Sequence, residues 1–111
     1  SANKLFLQSI IASIEQHLEE SEFDLERLSG EMNMSKSTLY RKIKAMTGLT
    51  PLDFVRNIKM KRACMMLLAR TQTISEVAYA VGFSNPKYFT KCFKEEFGMT
   101  PTEYQQSHIK V

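Results

Sequence analysis

Cysteine is scarce in this chain of 111 residues: Cys64 and Cys92 stand far apart, with no Cys-x-x-Cys pair and no histidine at zinc spacing. That pattern excludes a disulfide scaffold and a zinc site, and both thiols are read as reduced and buried. Proline and glycine are also few, three and four residues respectively, and no low-complexity or glycine-serine segment divides the chain. No apolar run approaches the roughly 20 residues that span a bilayer. The N-terminus shows no basic region followed by an apolar stretch and a cleavage site. The expectation is a cytoplasmic protein with no secretion signal and no membrane contact. His17 and His108 are isolated and read as lone surface histidines. With no Ser/His/Asp set, paired carboxylates, Gly-rich phosphate loop or metal cluster, the sequence reads as a non-enzyme that needs neither metal nor cofactor.

What is present is ordinary in amount and unusual in placement. Apolar residues make up 43% and charged residues 24% of the chain, enough for one compact domain or two very small ones. The formal net charge of +3 conceals an asymmetry. Residues 1–33 carry two basic and seven acidic side chains, residues 34–70 nine basic and one acidic, and residues 71–111 four of each. A basic middle third points to a polyanionic partner more strongly than the total does.

One stretch occurs twice. Met34 to Pro51 returns about fifty residues later as Phe83 to Pro101. In each copy a serine, Ser35 or Ser84, follows an apolar residue and is placed to N-cap a helix. Leu39, Ile43 and Met46 in the first copy, and Phe89, Phe93 and Phe97 in the second, recur at helical spacing as an inward stripe. Lys36, Arg41, Lys42 and Lys44, and then Lys87, Lys91 and Lys94, fall between them. Gly48 and Gly98 suit the left-handed position that ends a helix, and Thr50-Pro51 and Thr100-Pro101 supply an N-cap and a first-turn proline for the next.

Ahead of the repeat, Leu7, Ile10, Ile11, Ile14 and Leu18 predict an amphipathic helix over about residues 4–20. Asp24 caps a short helix over about 24–31, with Phe23 and Leu28 at the spacing of a hydrophobic staple. Asn33, and Gly82 in the second copy, stand where two helices turn sharply and tolerate positive φ. A short helix, a tight turn and a basic helix is the helix-turn-helix plan. Pro51 to about Ala69 forms the longest pattern, a helix of about 28 Å at 1.5 Å per residue. It carries Val55, Ile58, Ala63 and Leu67 on one face, and it joins the two copies at a defined separation. Thr73 to Glu76 and Thr100 to Glu103 are capping boxes. The expected fold is all-α with about seven helices. Residues 1–22 form an N-terminal helix and link, 23–50 the first helix-turn-helix, 51–70 the connecting helix, and 71–111 the second helix-turn-helix with a terminal helix.

The sequence now resembles the DNA-binding domain of the AraC/XylS family of bacterial transcription regulators over about residues 23–105. The residues that carry the resemblance are Ile74-Ser75-Glu76-Val77-Ala78, Val81-Gly82-Phe83-Ser84, Tyr88-Phe89, Lys91, Phe93-Lys94, Phe97-Gly98, Thr100-Pro101 and Tyr104, with Arg62-Ala63 and Leu67-Leu68 in the connecting helix. Leu39 to Lys42 and Pro86 to Phe89 are most similar to output domains behind response regulators, including those of hybrid two-component systems. The resemblance implies two helix-turn-helix units, each laying its second helix in the major groove of promoter DNA. By motif position, base readers are Ser37, Tyr40 and Arg41, with Thr38, in the first unit, and Pro86, Lys87, Thr90 and Lys91 in the second. The resemblance also implies activation through RNA polymerase and a regulatory domain upstream in the same chain.

The residues weigh as follows. Arg41 suits bidentate guanine recognition; Lys44 and Lys94, one turn on, suit phosphates. Tyr40 suits a thymine methyl or a phosphate, whereas Tyr88 is open to either a DNA contact or a place in the core, with the core favoured. Lys36 and Asn85 complete the two faces. Arg56, Lys59 and Arg62 are backbone candidates, though such side chains also coat apolar surface. The helix starts at Ser35 and Ser84 are phosphate seats. Met32, Met34, Met46, Met65 and Met66 read as core filler. The rival readings are a helix-turn-helix module for protein docking and an RNA-binding helical domain. The reading faces are basic and polar rather than apolar, and no aromatic stacking platform is evident.

A duplicated reader on a connecting helix of fixed length predicts subsites centred about one helical turn, roughly 10–10.5 bp, apart. Inserting about 5 bp between them should lower affinity toward that of one unit, and a full inserted turn should restore little, because the helix cannot lengthen. Titration of a spacing series built on a selected operator checks this; constant affinity across the series would mean that one unit alone reads DNA.

Overall fold

A computed structural model describes residues 1–109. It contains α1 (Ala2–Gln16), α2 (Leu25–Glu31), α3 (Lys36–Thr47), α4 (Pro51–Ala69), α5 (Ile74–Ala80), α6 (Pro86–Phe97) and α7 (Pro101–Ser107), with no strand among the described residues. No helix there is long and apolar enough to cross a membrane. The chain divides into two compact units. The first comprises Ser1–Leu18 and Glu22–Ile58; the second takes in Glu19–Ser21 and the chain from Lys59 onward. The boundary falls inside α4, so the helix between the copies serves as the last packing element of one unit and the first of the other.

In the first unit, α1 supplies Phe6, Ile10 and Ile14 to a core completed by Leu28, Leu39, Ile43, Phe54, Val55 and Ile58. Leu39 and Ile43 are fully buried, each contributing about 1.5–3 kcal/mol of apolar burial. Met32, Met34 and Met46 pack at the margin of this core. Met65, expected as filler, is instead 61% exposed on α4. α1 stops at Gln16 rather than about residue 20. Glu19, Glu20 and Glu22 would crowd negative charge at a helix C-terminus, where the macrodipole opposes it, and Leu18 is buried from the turn beyond the helix. His17, expected as isolated, pairs through Nε2 with Glu31 Oε1 at 3.1 Å. The Ser13 hydroxyl donates to the other Glu31 oxygen. These contacts, Ser13 foremost, hold the Glu31 carboxyl below its ordinary range against a smaller opposing effect of burial.

The second unit is built on rings. Phe83 lies edge-on to Phe89 at 5.3 Å, Phe89 meets Phe93 at 5.8 Å, and Phe93 meets Phe97 at 4.6 Å and Tyr104 at 5.6 Å. This fixes α7 against α6 through contacts that add to plain area burial. Three polar ties complete it. The buried Lys59 amine donates to the Glu20 carbonyl at 2.7 Å. Arg70 adopts a left-handed φ of 59° as α4 ends, and its guanidinium donates to the Gln105 carbonyl at 2.6 Å. Gln105 Nε2 in turn donates to the Leu67 carbonyl at 2.9 Å, satisfying a last-turn acceptor of α4. Cys92 is buried and Cys64 half-buried, both free; burial pushes the Cys64 thiol up.

The two sharp turns share one hydrogen-bond pattern. After α2, Asn33 N–H donates to Gly30 O and Met34 N–H to Ser29 O, both at 3.1 Å. After α5, Gly82 N–H donates to Tyr79 O at 3.0 Å and Phe83 N–H to Ala78 O at 2.9 Å. This is the Schellman arrangement, with Asn33 at φ 55° and Gly82 at φ 88° as its left-handed residues. The capping boxes form as expected: Thr73 and Thr100 hydroxyls accept from Glu76 and Glu103 N–H, and each glutamate accepts from its cap residue's N–H. Thr50 caps α4 by accepting from Asp53 N–H at 3.2 Å.

Gly82→Val should lower the thermal midpoint far more than Asn33→Gly, because a β-branched residue at positive φ is costly whereas glycine relieves the constraint. Comparable midpoints for the two variants in a melting experiment would refute the role given to Gly82. The caps also predict a pH dependence. Backbone donation from Thr73 and Thr100 holds Glu76 and Glu103 below their ordinary value of 4.5. A depressed folded-state pKa stabilises above the unfolded value, and that stability is lost as pH falls through the folded one. The midpoint difference between the native chain and a Glu76→Gln/Glu103→Gln variant should therefore be widest near neutral pH and close under acid conditions.

Candidate nucleic-acid interface

α3 begins at Ser35, extended at φ −69° and ψ 158°, whose hydroxyl accepts from Thr38 N–H at 3.2 Å and donates to the Thr38 hydroxyl at 2.9 Å. Ser35 and Ser37 hydroxyls lie 3.3 Å apart. The cap therefore draws Thr38 to the half-buried side. With Leu39 and Ile43 fixed inward, helical geometry turns Lys36, Ser37, Tyr40, Arg41 and Lys44 to solvent, and all five are exposed. Lys42, on a different line, places its amine 4.4 Å from the centre of the Phe6 ring on α1. The α3 face thus joins an arginine fork, two lysines and two hydroxyl-bearing side chains, with no acidic residue in the first turn.

α6 presents the matching row, with one correction. Ser84 does not cap it; Asn85 does, extended at φ −128° and ψ 109°, its side chain accepting from Lys87 N–H at 2.9 Å and Tyr88 N–H at 3.4 Å. The second copy has one more residue between its left-handed glycine and its helix than the first. Pro86 follows Asn85, and a residue before proline is driven out of the helical region, so the helix cannot start earlier. Pro86 occupies the first turn, where its missing N–H costs nothing. Phe89, Cys92 and Phe93 face inward. Lys87, Lys91 and Lys94 are exposed, with Thr90 half-buried beside them and Ser84 exposed just before the cap. Tyr88, with the core the favoured of its two readings, is 46% exposed, its ring 6.0 Å from that of Phe83. The sequence pattern of an aromatic pair beside Phe89 concealed this. Only the rotation imposed by Phe89 and Phe93 separates the two rings into an inner and an outer one.

On α4 the three basic candidates part company. Arg56 and Arg62 are half-buried. Lys59 is 8% exposed with its amine bonded to Glu20 O, so it ties the second unit together and has no reach to spare for a phosphate. Among the described residues no group of three His, Cys, Asp or Glu is placed to hold a metal ion.

The family model described as a helix-turn-helix domain matches residues 28–107. Histidine kinase P4 of Formosa agariphila is 38% identical over 97% of this chain, which corresponds to 8% of that protein. Other curated relatives are likewise matched over about a third of their length. Among solved structures, the C-terminal domain of AraT, a response regulator from Geobacillus stearothermophilus, superposes with a TM-score of 0.82 at 27% identity, covering 96% of this chain and 88% of that one. The DNA-binding domain of AdpA, a global transcriptional factor solved with a target DNA, gives a TM-score of 0.80 at 28% identity, covering 92% and 91%. With two Schellman-turned helix pairs, each offering a basic second helix, and a family match across most of its length, the chain belongs to the AraC-type helix-turn-helix family.

Proposed function

We propose that this chain is the sequence-reading output module of a larger bacterial transcription regulator, binding double-stranded promoter DNA through α3 and α6. The observation that carries the reading is the repeated geometry. Each unit turns its second helix by the same left-handed turn, buries one side of it, and leaves the opposite side lined with Arg41 and Lys44 or with Lys87, Lys91 and Lys94. Such a helix fits the major groove, and its cations replace counterions on phosphate. The DNA-bound relative of the same fold supports the choice of ligand. The histidine-kinase name belongs to a protein in which the matched segment is 8% of the length, and it supports a signalling domain upstream rather than catalysis here. In this reading the module works in the cytoplasm and activates transcription by presenting a bound surface to RNA polymerase.

Within the module, Arg41 reads a base edge and Lys44 holds the backbone, with Ser37 and Tyr40 flanking the arginine. In the second unit, Lys87, Thr90 and Lys91 face the groove and Lys94 the phosphates. Arg56 and Arg62 remain backbone contacts in this proposal and Lys59 does not. Affinity for a selected operator should fall steeply with salt. Arg41→Ala should cost about 1–3 kcal/mol on the preferred duplex and relax preference at one base pair. Lys44→Ala should weaken all duplexes evenly and reduce the salt slope by about 1. Fluorescence titrations on specific and random duplexes across a salt series decide this, and equal losses on both duplexes for both variants would reject the division between reading and positioning.

A further inference from the structure

The proposed reader accounts for the lysines of α6 but leaves an aromatic ring at its edge. Tyr88 is 46% exposed, although it stands beside Phe89, which is fully buried. It is not a loose surface ring. Its N–H is tied to the Asn85 cap at 3.4 Å, and its ring rests 6.0 Å from Phe83, which is held edge-on at 5.3 Å by buried Phe89. The tyrosine is therefore propped from behind by core aromatics while its outer part meets solvent.

Its place on the helix defines what it can touch. Tyr88 lies about a quarter turn round from the row of Lys87, Lys91 and Lys94, so when that row faces a groove the tyrosine faces the groove's wall. It is also the third residue of α6, within the first turn, where the helix dipole favours an anion. The first unit handles the corresponding place differently. Thr38, third residue of α3, is half-buried and its hydroxyl is engaged by Ser35 at 2.9 Å. The two copies are therefore unlike at this one position, and only the second places a solvent-exposed tyrosine there, its ring against Phe83.

We infer that Tyr88 is a DNA-backbone contact, its phenolic hydroxyl donating to one phosphate oxygen at the N-terminal edge of α6. The inference rests on the DNA-binding reading above and adds a neutral donor to it. A hydroxyl that binds phosphate carries no charge, so it contributes affinity without releasing a counterion. That separates it from every lysine on the same helix.

Tyr88→Phe removes the donor and keeps the ring against Phe83, so the melting midpoint should stay at the native value. Affinity should fall roughly ten-fold on the selected operator and on random duplexes alike, as expected for a lost hydrogen bond to a charged acceptor. The slope of log K against log salt should be unchanged, whereas Lys94→Ala should reduce it by about 1. A scan of operators carrying single methylphosphonate substitutions should find one position that weakens the native chain and has little further effect on Tyr88→Phe. Native affinity in the variant would overturn the inference and return Tyr88 to a packing role. Loss confined to one base pair would overturn the phosphate assignment in favour of base reading. Failure of the native chain to bind any duplex, or to show salt dependence, would instead overturn the DNA-binding reading and this contact with it.

Discussion

Everything that α3 and α6 present depends on the residue placed just before each of them in a left-handed conformation. Asn33 and Gly82 let the last carbonyls of α2 and α5 be satisfied while the chain reverses out of the helix. Without such a residue the orphan acceptors would need water, and the following helix would leave at another angle. The consequence reaches the surface. A fixed exit lets Leu39 and Ile43, or Phe89 and Phe93, enter their cores in one rotation only, and that rotation exposes the cations. The reading faces are thus a by-product of backbone satisfaction and apolar burial, with charge filling the positions that remain.

The two units solve the same packing problem with different materials. The first relies on aliphatic residues and borrows α1 for Phe6, Ile10 and Ile14. The second replaces them with a run of aromatic rings from Phe83 to Tyr104 and clamps α7 through Arg70 and Gln105. Rings bury more area per residue and constrain relative orientation, which suits a unit whose terminal helix has only seven residues. The left-handed φ of Arg70 is a small conformational cost, and it brings a guanidinium onto a backbone carbonyl at a helix end.

Lys59 shows how a charge count misleads. In the sequence it belongs to the basic middle third and looks like another phosphate contact. In the fold its stem is buried and its amine completes the Glu20 carbonyl. A long aliphatic stem with a donor at its tip fills either role equally well, and helical spacing alone does not distinguish them. His17 and Glu31 make the same point on α1 and α2: residues fourteen apart in sequence are joined only after two helices fold together.

The sequence by itself determined the seven helices, most of their caps and the duplication, because these rest on local physics; Asn85 rather than Ser84 as the cap of α6 is local too, set by the proline that follows it. Hydroxyl and glutamate spacing marks the capping boxes at Thr73 and Thr100, glycine marks the left-handed ends, and a 3.6-residue period marks the buried stripes. The basic rows of α3 and α6 were legible for the same reason. Tertiary structure decided what local pattern leaves open. It set Tyr88 outside and Phe89 inside, since two adjacent rings on a helix cannot both face the core. It took Lys59 inward because the chain at Glu20 returns to meet it, a contact across thirty-nine residues that no periodicity encodes.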